Sequence, residues 1–503
     1  SVLIGASAGA ALTTGADNTA VGELALNALT IGAGNVAVGT RAADVTVEGT
    51  YNTAIGSDAL ATNVNGDNNT AVGQGALFTF NSANEGKNTA IGSEAGGYVS
   101  TGQSNTFVGY RAGQCNSSTN LEGDNNTAIG DSAGLVLQGA AANNTYVGKN
   151  AGAVTTTGLG NVAIGSSSLG SHTSTNYNTA VGYQSMYSAA AGAGNTAVGY
   201  ESLKAVQSGG TYNVAVGYQA GLAITTGDGN VFIGNLCGDA ATDIDSTVAI
   251  GYLALSSAHT QDYTVAIGGA AGENLTSGQY NTLIGGEAAK DMTTGDKNTV
   301  LGYKAGYGIA AGNNPDGNTF IGMQAGNSVT TGSYNTMIGI DSDTNAVGDS
   351  NSTAVGNGAT GTGSNTVSLG NTSISNIEGQ VSFGTYSDER IKKSITDTDI
   401  GLDFIKELKP RKFKRVCPKD YPEAIQTKYD KRAPELENPD EQIDGLIAQE
   451  VKESIDSLGI SFSGWSEGDD TKQKLQYATF VMPLIKAVQE LSAKVEELEA
   501  KLK

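Results

Sequence analysis

The chain has 503 residues, of which 71 are glycine, 6% are aromatic and only 16% are charged, and its formal net charge is −22. Such acidity argues against a nucleic-acid partner, because a phosphate backbone is bound by a basic surface. The three cysteines lie far apart and give no disulfide framework or metal-ligand spacing, and two histidines, His172 and His259, all but exclude a histidine-based metal site or triad. No apolar run approaches the length of a membrane span. We expect no cofactor, no metal and no nucleic acid.

The five residues Asn18-Thr19-Ala20-Val21-Gly22 recur along most of the chain. The glycine that closes each copy, here called the closing glycine, occurs 21 times, mostly 17 residues apart, from Gly22 to Gly370. A short fixed period is typical of a solenoid. The sequence therefore predicts a mostly β protein with a parallel β-roll or β-solenoid shaft over residues 1–370. Residues 1–5 read as the end of one more copy, so we expect the chain to begin within the solenoid, as a fragment of a longer protein.

The positions before the closing glycine have fixed residue types. Position −1 is Val, Ile or Leu in all 21 copies, position −3 is Thr or Val in all 21, and position −4 is Asn in 17. Positions −3 and −1 share one face of an extended strand. The usual Ala at −2 points the other way, and we expect it to leave room for a close neighbour and for lateral association. The recurrent Asn predicts a side-chain ladder that satisfies backbone groups of the turns.

A weaker signature follows the closing glycine, as in residues 148–152, and a turn such as residues 225–227 leads to the next copy. This pattern predicts two short strands and two turns in each coil. The repeat resembles the head repeat of trimeric autotransporter adhesins, a left-handed parallel β-roll, although the adhesin period is usually shorter than 17 residues. The resemblance implies that the shaft is a homotrimer.

Two sets of shaft residues could carry chemistry. Tyrosines recur directly after the closing glycine, and a row of exposed rings could stack on sugars or, alternatively, fill packing positions on the roll or between protomers. Acidic residues such as Asp58, Glu94 and Asp131 are scattered over the turns, and we expect them to be solvated turn residues rather than a glycosidase pair. The tyrosines are Tyr110, Tyr183, Tyr200, Tyr218, Tyr252 and Tyr303.

The composition changes beyond a connector at residues 371–386. Residues 387–503 hold 20 of the 28 basic residues and six of the seven prolines but only five of the 71 glycines. We predict a separate small α/β domain there, ending in a helix at about residues 478–503. Alternating spacings of three and four predict a coiled-coil seam on this helix. Val at a and Leu at d favour a two-stranded coiled coil, which conflicts with a trimer. We give precedence to the symmetry of the shaft and expect a trimer. The seam residues are Val481, Leu484, Val488, Leu491, Val495, Leu498 and Leu502.

Residues 387–393, with the pattern S-D-x-R-x-K, and the Gly445-to-Val451 segment occur in an order that resembles the C-terminal intramolecular chaperone of endosialidase type. The resemblance covers nearly all of residues 387–503. It implies a domain that trimerises, guides folding of the shaft and then cleaves itself off between Tyr386 and Ser387. Ser387 would be the nucleophile and Lys392 its base. The alternative is that residues 387–388 cap a helix while Lys392 is a solvated charge.

These features favour a structural and receptor-binding tail fibre of a phage or phage-like injection particle. Its partners would be a glycan or protein receptor on the host surface and, through a missing N-terminal part, the rest of the fibre or the baseplate. It would be made in the host cytoplasm and act in the virion tail, outside the cell. The alternatives are a bacterial surface adhesin and a tailspike that degrades polysaccharide. The only enzymatic activity expected is self-cleavage.

Overall fold

Each closing glycine follows a three-residue β-strand, and one further strand precedes the first of them. The computed structural model describes residues 1–502 apart from 84, 116, 189–191, 208, 258, 261, 310–314, 375–376, 379, 381–386, 427–429, 433–434, 437 and 468–471. The solenoid strands are β1 (Val2–Ile4), β2 (Thr19–Val21), β3 (Val36–Val38), β4 (Thr53–Ile55), β5 (Thr70–Val72), β6 (Thr89–Ile91), β7 (Thr106–Val108), β8 (Thr127–Ile129), β9 (Thr145–Val147), β10 (Val162–Ile164), β11 (Thr179–Val181), β12 (Thr196–Val198), β13 (Val214–Val216), β14 (Val231–Ile233), β15 (Val248–Ile250), β16 (Val265–Ile267), β17 (Thr282–Ile284), β18 (Thr299–Leu301), β19 (Thr319–Ile321), β20 (Thr336–Ile338), β21 (Thr353–Val355) and β22 (Val367–Leu369).

Neighbouring strands pair in parallel with the same repeat positions side by side. In the compact unit Ser1–Gly317, strands β1 to β18 follow one another in this register, so that Ala20 lies beside Ala37. In the second unit, Asn318–Lys503, strands β19 to β22 pair in the same way. The prediction of a mostly β protein built on a parallel β-solenoid is confirmed.

The closing glycine brings consecutive coils into close backbone contact. Gly22 has φ +136°, and a Cβ placed there would lie 2.5 Å from the carbonyl oxygen of Gly39. The same contact recurs along the column, for example from Gly182 to Gly199 at 2.2 Å. A side chain at this position would force the coils apart, and the backbone conformation itself is one that other residues rarely adopt. The recurrence of glycine therefore has a steric cause.

The two faces of each strand lie on opposite sides of the coil wall. The residue at −2 is buried inside the coil in strands β2 to β21, whereas residues at −3 and −1 are half-buried or exposed. Positions −3 and −1 do share a face, as predicted, and we call their side chains the outer strand face. The expectation for the alanine was wrong. It is buried inside its own coil, where a Cβ placed on Gly134 of the opposite wall would lie 3.4 Å from the Cβ of Ala128.

The segment after the closing glycine is a run of turns, so the prediction of a second strand in each coil was wrong. Leu24 and Leu26 have φ of +58° and +53°, and most other coils place positive φ at the same two positions. Residues with positive φ alternate with their neighbours, which curls the chain instead of extending it. The backbone still bonds to both adjacent coils, because Leu24 N–H donates to Ala6 at 2.9 Å and Leu26 N–H to Ala42 at 3.0 Å.

The predicted asparagine ladder is confirmed. The Asn195 side-chain oxygen accepts the backbone N–H of Asn213 at 2.9 Å, and its Nδ2 donates to the carbonyl of Gly210 at 2.8 Å. Asn195 in turn donates its own N–H to Asn178 at 2.9 Å. The ladder side chains are buried, so each one satisfies backbone groups that water does not reach. The run starting at Asn18 ends where Thr247 and Thr264 replace asparagine.

Large residues at −2 are matched by glycines on the opposite wall. Phe107 occupies the position that is Ala in most coils, and a Cβ on Gly113 would lie 2.2 Å from its ring. A Cβ on Gly96, in the preceding coil, would lie 2.9 Å from the same ring. Tyr146, Phe232 and Phe320 face glycines in the same manner. Ala opposite Leu and an aromatic ring opposite Gly are therefore two recurring ways of filling the narrow coil interior.

The C-terminal domain is small and of mixed helix and strand. Its helices are α1 (Leu402–Glu407), α2 (Ala448–Leu458) and α3 (Val481–Leu502), and its strands form two antiparallel pairs, β23 (Arg411–Phe413) with β24 (Ile443–Gly445) and β25 (Trp465–Glu467) with β26 (Gln473–Leu475). Short 3₁₀ turns lie at Glu389–Ile391, Pro418–Asp420, Glu423–Ile425, Asp430–Arg432 and Tyr477–Phe480.

A small aromatic core holds this domain together. Phe404 of α1 packs against Phe462 at a centroid distance of 5.0 Å, and Phe462 meets Phe480 edge-on at 4.8 Å. Val451 and Ile455 of α2 complete the buried cluster. No helix in the described residues is long and apolar enough to cross a membrane.

We predict that Asn195→Ala destabilises its own part of the shaft. The substitution leaves the buried Asn213 N–H and Gly210 C=O without partners, at a cost of about 2–4 kcal/mol. Hydrogen exchange of the amides in residues 195–217 reports the local free energy of opening. Asn235→Ala is the control, because Asn235 is exposed, and it should change exchange little. Equal effects of the two substitutions would contradict the structural role of the ladder.

We also predict that residues 107 and 113 are energetically coupled. Gly113→Leu overpacks the coil, whereas Phe107→Ala combined with Gly113→Leu recreates the pairing of Ala20 with Leu26, whose φ of +53° is close to the +55° of Gly113. The double variant should be less destabilised than the sum of the single variants by at least about 1 kcal/mol. The free energies come from hydrogen exchange of residues 105–115. Simple additivity would show that the interior volume is not conserved.

Candidate functional site

The predicted nucleophile and base are in contact. The Lys392 Nζ donates to the Ser387 Oγ over 2.6 Å. The 3₁₀ turn Glu389–Ile391 lies between them and brings residues five apart in sequence to the same place. Tyr386, on the other side of the predicted scissile bond, lies outside the described residues.

Asp388 shapes this turn. Its Oδ1 accepts the backbone N–H of Arg390 at 2.8 Å, and its carboxylate also receives the Arg390 guanidinium, with Nη2 2.6 Å from Oδ2. The side-chain hydrogen bonds from Arg390, and then the backbone one, lower the pKa of Asp388 below its usual range. Asp388 is thus the cap that the alternative interpretation required. Capping and the serine–lysine contact coexist, because different residues of the S-D-x-R-x-K segment make them.

The serine–lysine pair is open to water in the single chain. Residues 387–399 are exposed throughout, including Ser387 and Lys392. Burial would disfavour the charged ammonium and allow the amine to accept the hydroxyl proton. Ser387 and Lys392 therefore meet within the single chain, on a surface that is open to water.

The Gly445-to-Val451 segment makes contacts that connect different elements of the C-terminal domain. A Cβ on Gly445 would lie 2.7 Å from the Tyr477 hydroxyl, which accepts the backbone N–H of Leu446 at 2.8 Å. Glu450 receives the Arg411 guanidinium of β23 with Nη2 2.7 Å from Oε1. This hydrogen bond lowers the pKa of Glu450 below its usual range. The conspicuous residues of this motif thus have structural roles.

The shaft tyrosines form a partly self-stacked row. Tyr183, Tyr200 and Tyr218 lie in three consecutive coils, with ring centroids 5.3 and 5.2 Å apart and nearly parallel planes. The stacked ring faces cover one another, and each of the three residues remains 42–46% exposed. This arrangement favours the packing interpretation over sugars stacking along the whole row. Tyr110, Tyr252 and Tyr303 are also exposed.

A second tyrosine column was missed by the sequence analysis. Its tyrosines lie five residues before the closing glycine, so this column precedes the strand, whereas the first column follows it. These tyrosines are 51–71% exposed. Tyr263 and Tyr280 stack at 5.6 Å. The signal was present in the sequence, since the same alignment on the closing glycine shows it. Its members are Tyr51, Tyr177, Tyr212, Tyr263, Tyr280 and Tyr334.

The acidic residues singled out on the shaft are bound to neighbouring side chains. Asp58 pairs with Arg41 at 2.5 Å, and Glu94 pairs with Arg111 at 2.8 Å. Asp131 accepts a hydrogen bond from Ser132. Such contacts suit turn residues and give no sign of a glycosidase pair.

His172 is part of the coil interior. Its Nε2 lies 2.7 Å from the carbonyl oxygen of Met186, and burial lowers its pKa to about 4. The ring is therefore neutral at pH 7. Within the part of the chain that the structure describes, no group of three or more His, Cys, Asp or Glu side chains could hold a metal ion.

Comparison with known proteins bears on the C-terminal region. The family model described as the chaperone of endosialidase matches residues 387–460, a shorter stretch than the resemblance suggested. Searches of curated proteins and of solved structures found no match to the chain. The matched stretch begins at Ser387 and includes the serine–lysine contact and helix α2. Residues 387–460 are thus similar to the chaperone of endosialidase, and this match together with the parallel β-solenoid fits a tail fibre with a C-terminal chaperone.

Proposed function

We propose that this chain is the shaft and folding domain of a homotrimeric tail fibre of a phage or phage-like injection particle. The C-terminal domain aligns three chains and then cleaves itself off between Tyr386 and Ser387. The observation that carries the proposal is the 2.6 Å contact between the Lys392 Nζ and the Ser387 Oγ at the first residue of the family match. The matching family model is named as a peptidase family as well as a chaperone.

The proposed cleavage follows ordinary acyl-transfer chemistry. Neutral Lys392 takes the hydroxyl proton of Ser387, and the Oγ bonds to the carbonyl carbon of Tyr386. The peptide C–N bond breaks, and the leaving amine of Ser387 receives the proton from Lys392. Water then hydrolyses the ester, which leaves a carboxylate on Tyr386 and a free serine at the new N-terminus. No cofactor or metal takes part.

Assembly supplies the cover that the serine–lysine pair lacks in the single chain. The exposed stretch 387–399 becomes enclosed when neighbouring chains dock, and burial then favours the neutral amine of Lys392. Cleavage thereby follows trimer formation and does not precede it. This order protects the domain until it has aligned the shaft.

Two exposed apolar surfaces support association with further copies of the same chain. The first is the seam of α3, on which Val488 is 60% exposed and Leu491 is 52% exposed, while Pro483 and Ala487 on another face are buried. The second is the outer strand face, an uncharged row of Thr, Val, Ile and Leu that recurs in every coil. Apolar rows of this length mark interfaces, and matching repeats in identical chains would bury both. The number three comes from the resemblance to trimeric adhesin heads.

We further propose that the shaft binds a host-surface glycan or protein and joins the rest of the fibre. When the outer strand faces meet between chains, the two tyrosine columns and the acidic turns are the surfaces that remain available to a receptor. Tyrosine offers contact area at low entropic cost, which suits receptor contacts. The fibre would be made in the host cytoplasm and would act on the extracellular particle.

We predict that the purified wild-type protein contains fragments 1–386 and 387–503, and that Ser387→Ala and Lys392→Met each yield only the full-length chain. Denaturing mass spectrometry distinguishes these products. Lys393→Met is the matched control, because Lys393 is an exposed lysine at the neighbouring position, and it should cleave normally. Normal cleavage by Ser387→Ala would refute the assigned nucleophile.

We predict that the full-length Ser387→Ala protein is a trimer by native mass spectrometry. Adding Leu491→Asp and Val495→Asp should prevent the chains from associating before the shaft forms, so that monomers predominate. Charged residues in the seam place carboxylates where apolar side chains must meet. Lys494→Asp, outside the seam, controls for the change in charge. A stable dimer or monomer of the parent protein would contradict the proposed assembly.

A further inference from the structure

Asp430 is a buried carboxylate that the proposed cleavage does not use. Its side chain has no exposure to solvent, in a domain whose other acidic residues are mostly exposed. The Thr372 Oγ1 donates to its Oδ1 over 2.7 Å, and the Lys472 Nζ lies 3.5 Å from its Oδ2. A buried charge is stable only when it is paired and hydrogen-bonded, so the contacts with Thr372 and Lys472 stabilise Asp430 in this position.

The three residues of this contact come from both sides of the proposed cut. Thr372 follows β22, the last strand of the solenoid, by three residues. Asp430 and Lys472 belong to the C-terminal domain. The bond between residues 386 and 387 lies between them in sequence, so after cleavage the hydrogen bond would join two separate polypeptides.

The contact lies at the end of the last coil. Ser368, Leu369 and Thr372 line a cavity of about 320 Å³ together with Asp430 and Lys472. The final strand of a solenoid has one edge without a successor coil, and such an edge can pair with another chain. The cavity also shows that the two surfaces are not closely packed at this place, where the Thr372–Asp430 hydrogen bond joins them.

We infer that the C-terminal domain caps the last coil through Asp430 and stays bound there, without a covalent link, after the chain is cut. The docking surface is the end of the solenoid, residues 368–372, and its partner is the cleaved domain of the same chain. While docked, the domain blocks end-to-end pairing of shafts. Docking is independent of cleavage, whereas retention after the cut rests on the proposed function.

The docking is tested first in the uncleaved Ser387→Ala protein. Thr372→Val removes the hydroxyl with little change in shape and lies outside the C-terminal domain, so that domain should still fold. Losing one hydrogen bond to a buried carboxylate should speed exchange of the amides in residues 366–374 and 472–475 about tenfold. Thr372→Ser keeps the hydroxyl and should exchange like the parent. Equal protection in all three proteins would overturn the docking contact.

Retention is tested in proteins that have been cut. The wild-type domain should elute with the shaft on size-exclusion chromatography, and Thr372→Val should release it about tenfold faster than Thr372→Ser. Immediate separation of the wild-type domain would overturn retention. If the wild type is never cut, the proposed cleavage fails, and a protease site replacing residues 381–386 allows the same comparison. Failure of self-cleavage and failure of retention are thus distinguished.

Discussion

The close approach of backbones along the glycine column is the constraint on which the rest of the shaft depends. At contacts such as that of Gly22 with Gly39, no side chain fits, so the coils stack at the spacing of hydrogen-bonded strands. At that spacing, each ladder Asn lies within hydrogen-bond distance of the Asn in the next coil. The turns can then alternate positive φ with ordinary backbone and still bond to the coils on either side.

A coil stacked in this way has a thin interior, and the thinness explains both what lies inside and what is left outside. The inside accepts Ala at −2 opposite Leu, or Phe107 opposite Gly113, but not large residues on both walls. The β-branched side chains therefore remain on the outer strand face, where a single chain cannot bury them. The backbone hydrogen bonds of such a solenoid are made along its axis, but its apolar outer strand face is left unburied, which favours lateral association. Because the coils are nearly identical, something outside the shaft is needed to set the register between chains.

The C-terminal domain has the features of such a device, and its parts are separated in space and function. Helix α3 carries an exposed seam, whereas its buried residues Pro483 and Ala487 face the domain. The Ser387–Lys392 pair is formed within a short capped turn and remains exposed until something covers it. Asp430 connects the domain to the last coil. One small domain thus carries an exposed apolar seam, the Ser387–Lys392 contact and a contact with the last coil.

The sequence by itself determined the features that depend on local chemistry repeated at a fixed spacing. The 17-residue period, the short strand before each closing glycine, the asparagine ladder and the terminal helix follow from residue types at fixed spacings, whereas the pairing of Ser387 with Lys392 was expected from the family resemblance. The amphipathic pattern of a strand shows that two faces differ, but it does not show which face is inside.

Only the tertiary structure decided that point. Ala faces inward in most coils because the opposite wall of the same coil lies close to it, as the glycines facing Phe107 show, and that closeness depends on how the coil closes. The run of positive φ replaced the expected second strand for the same reason, since closing so narrow a coil requires a tightly curled segment. The burial of Asp430 against Thr372 was likewise not predictable, because the two residues lie 58 positions apart and meet only when the domain docks on the last coil.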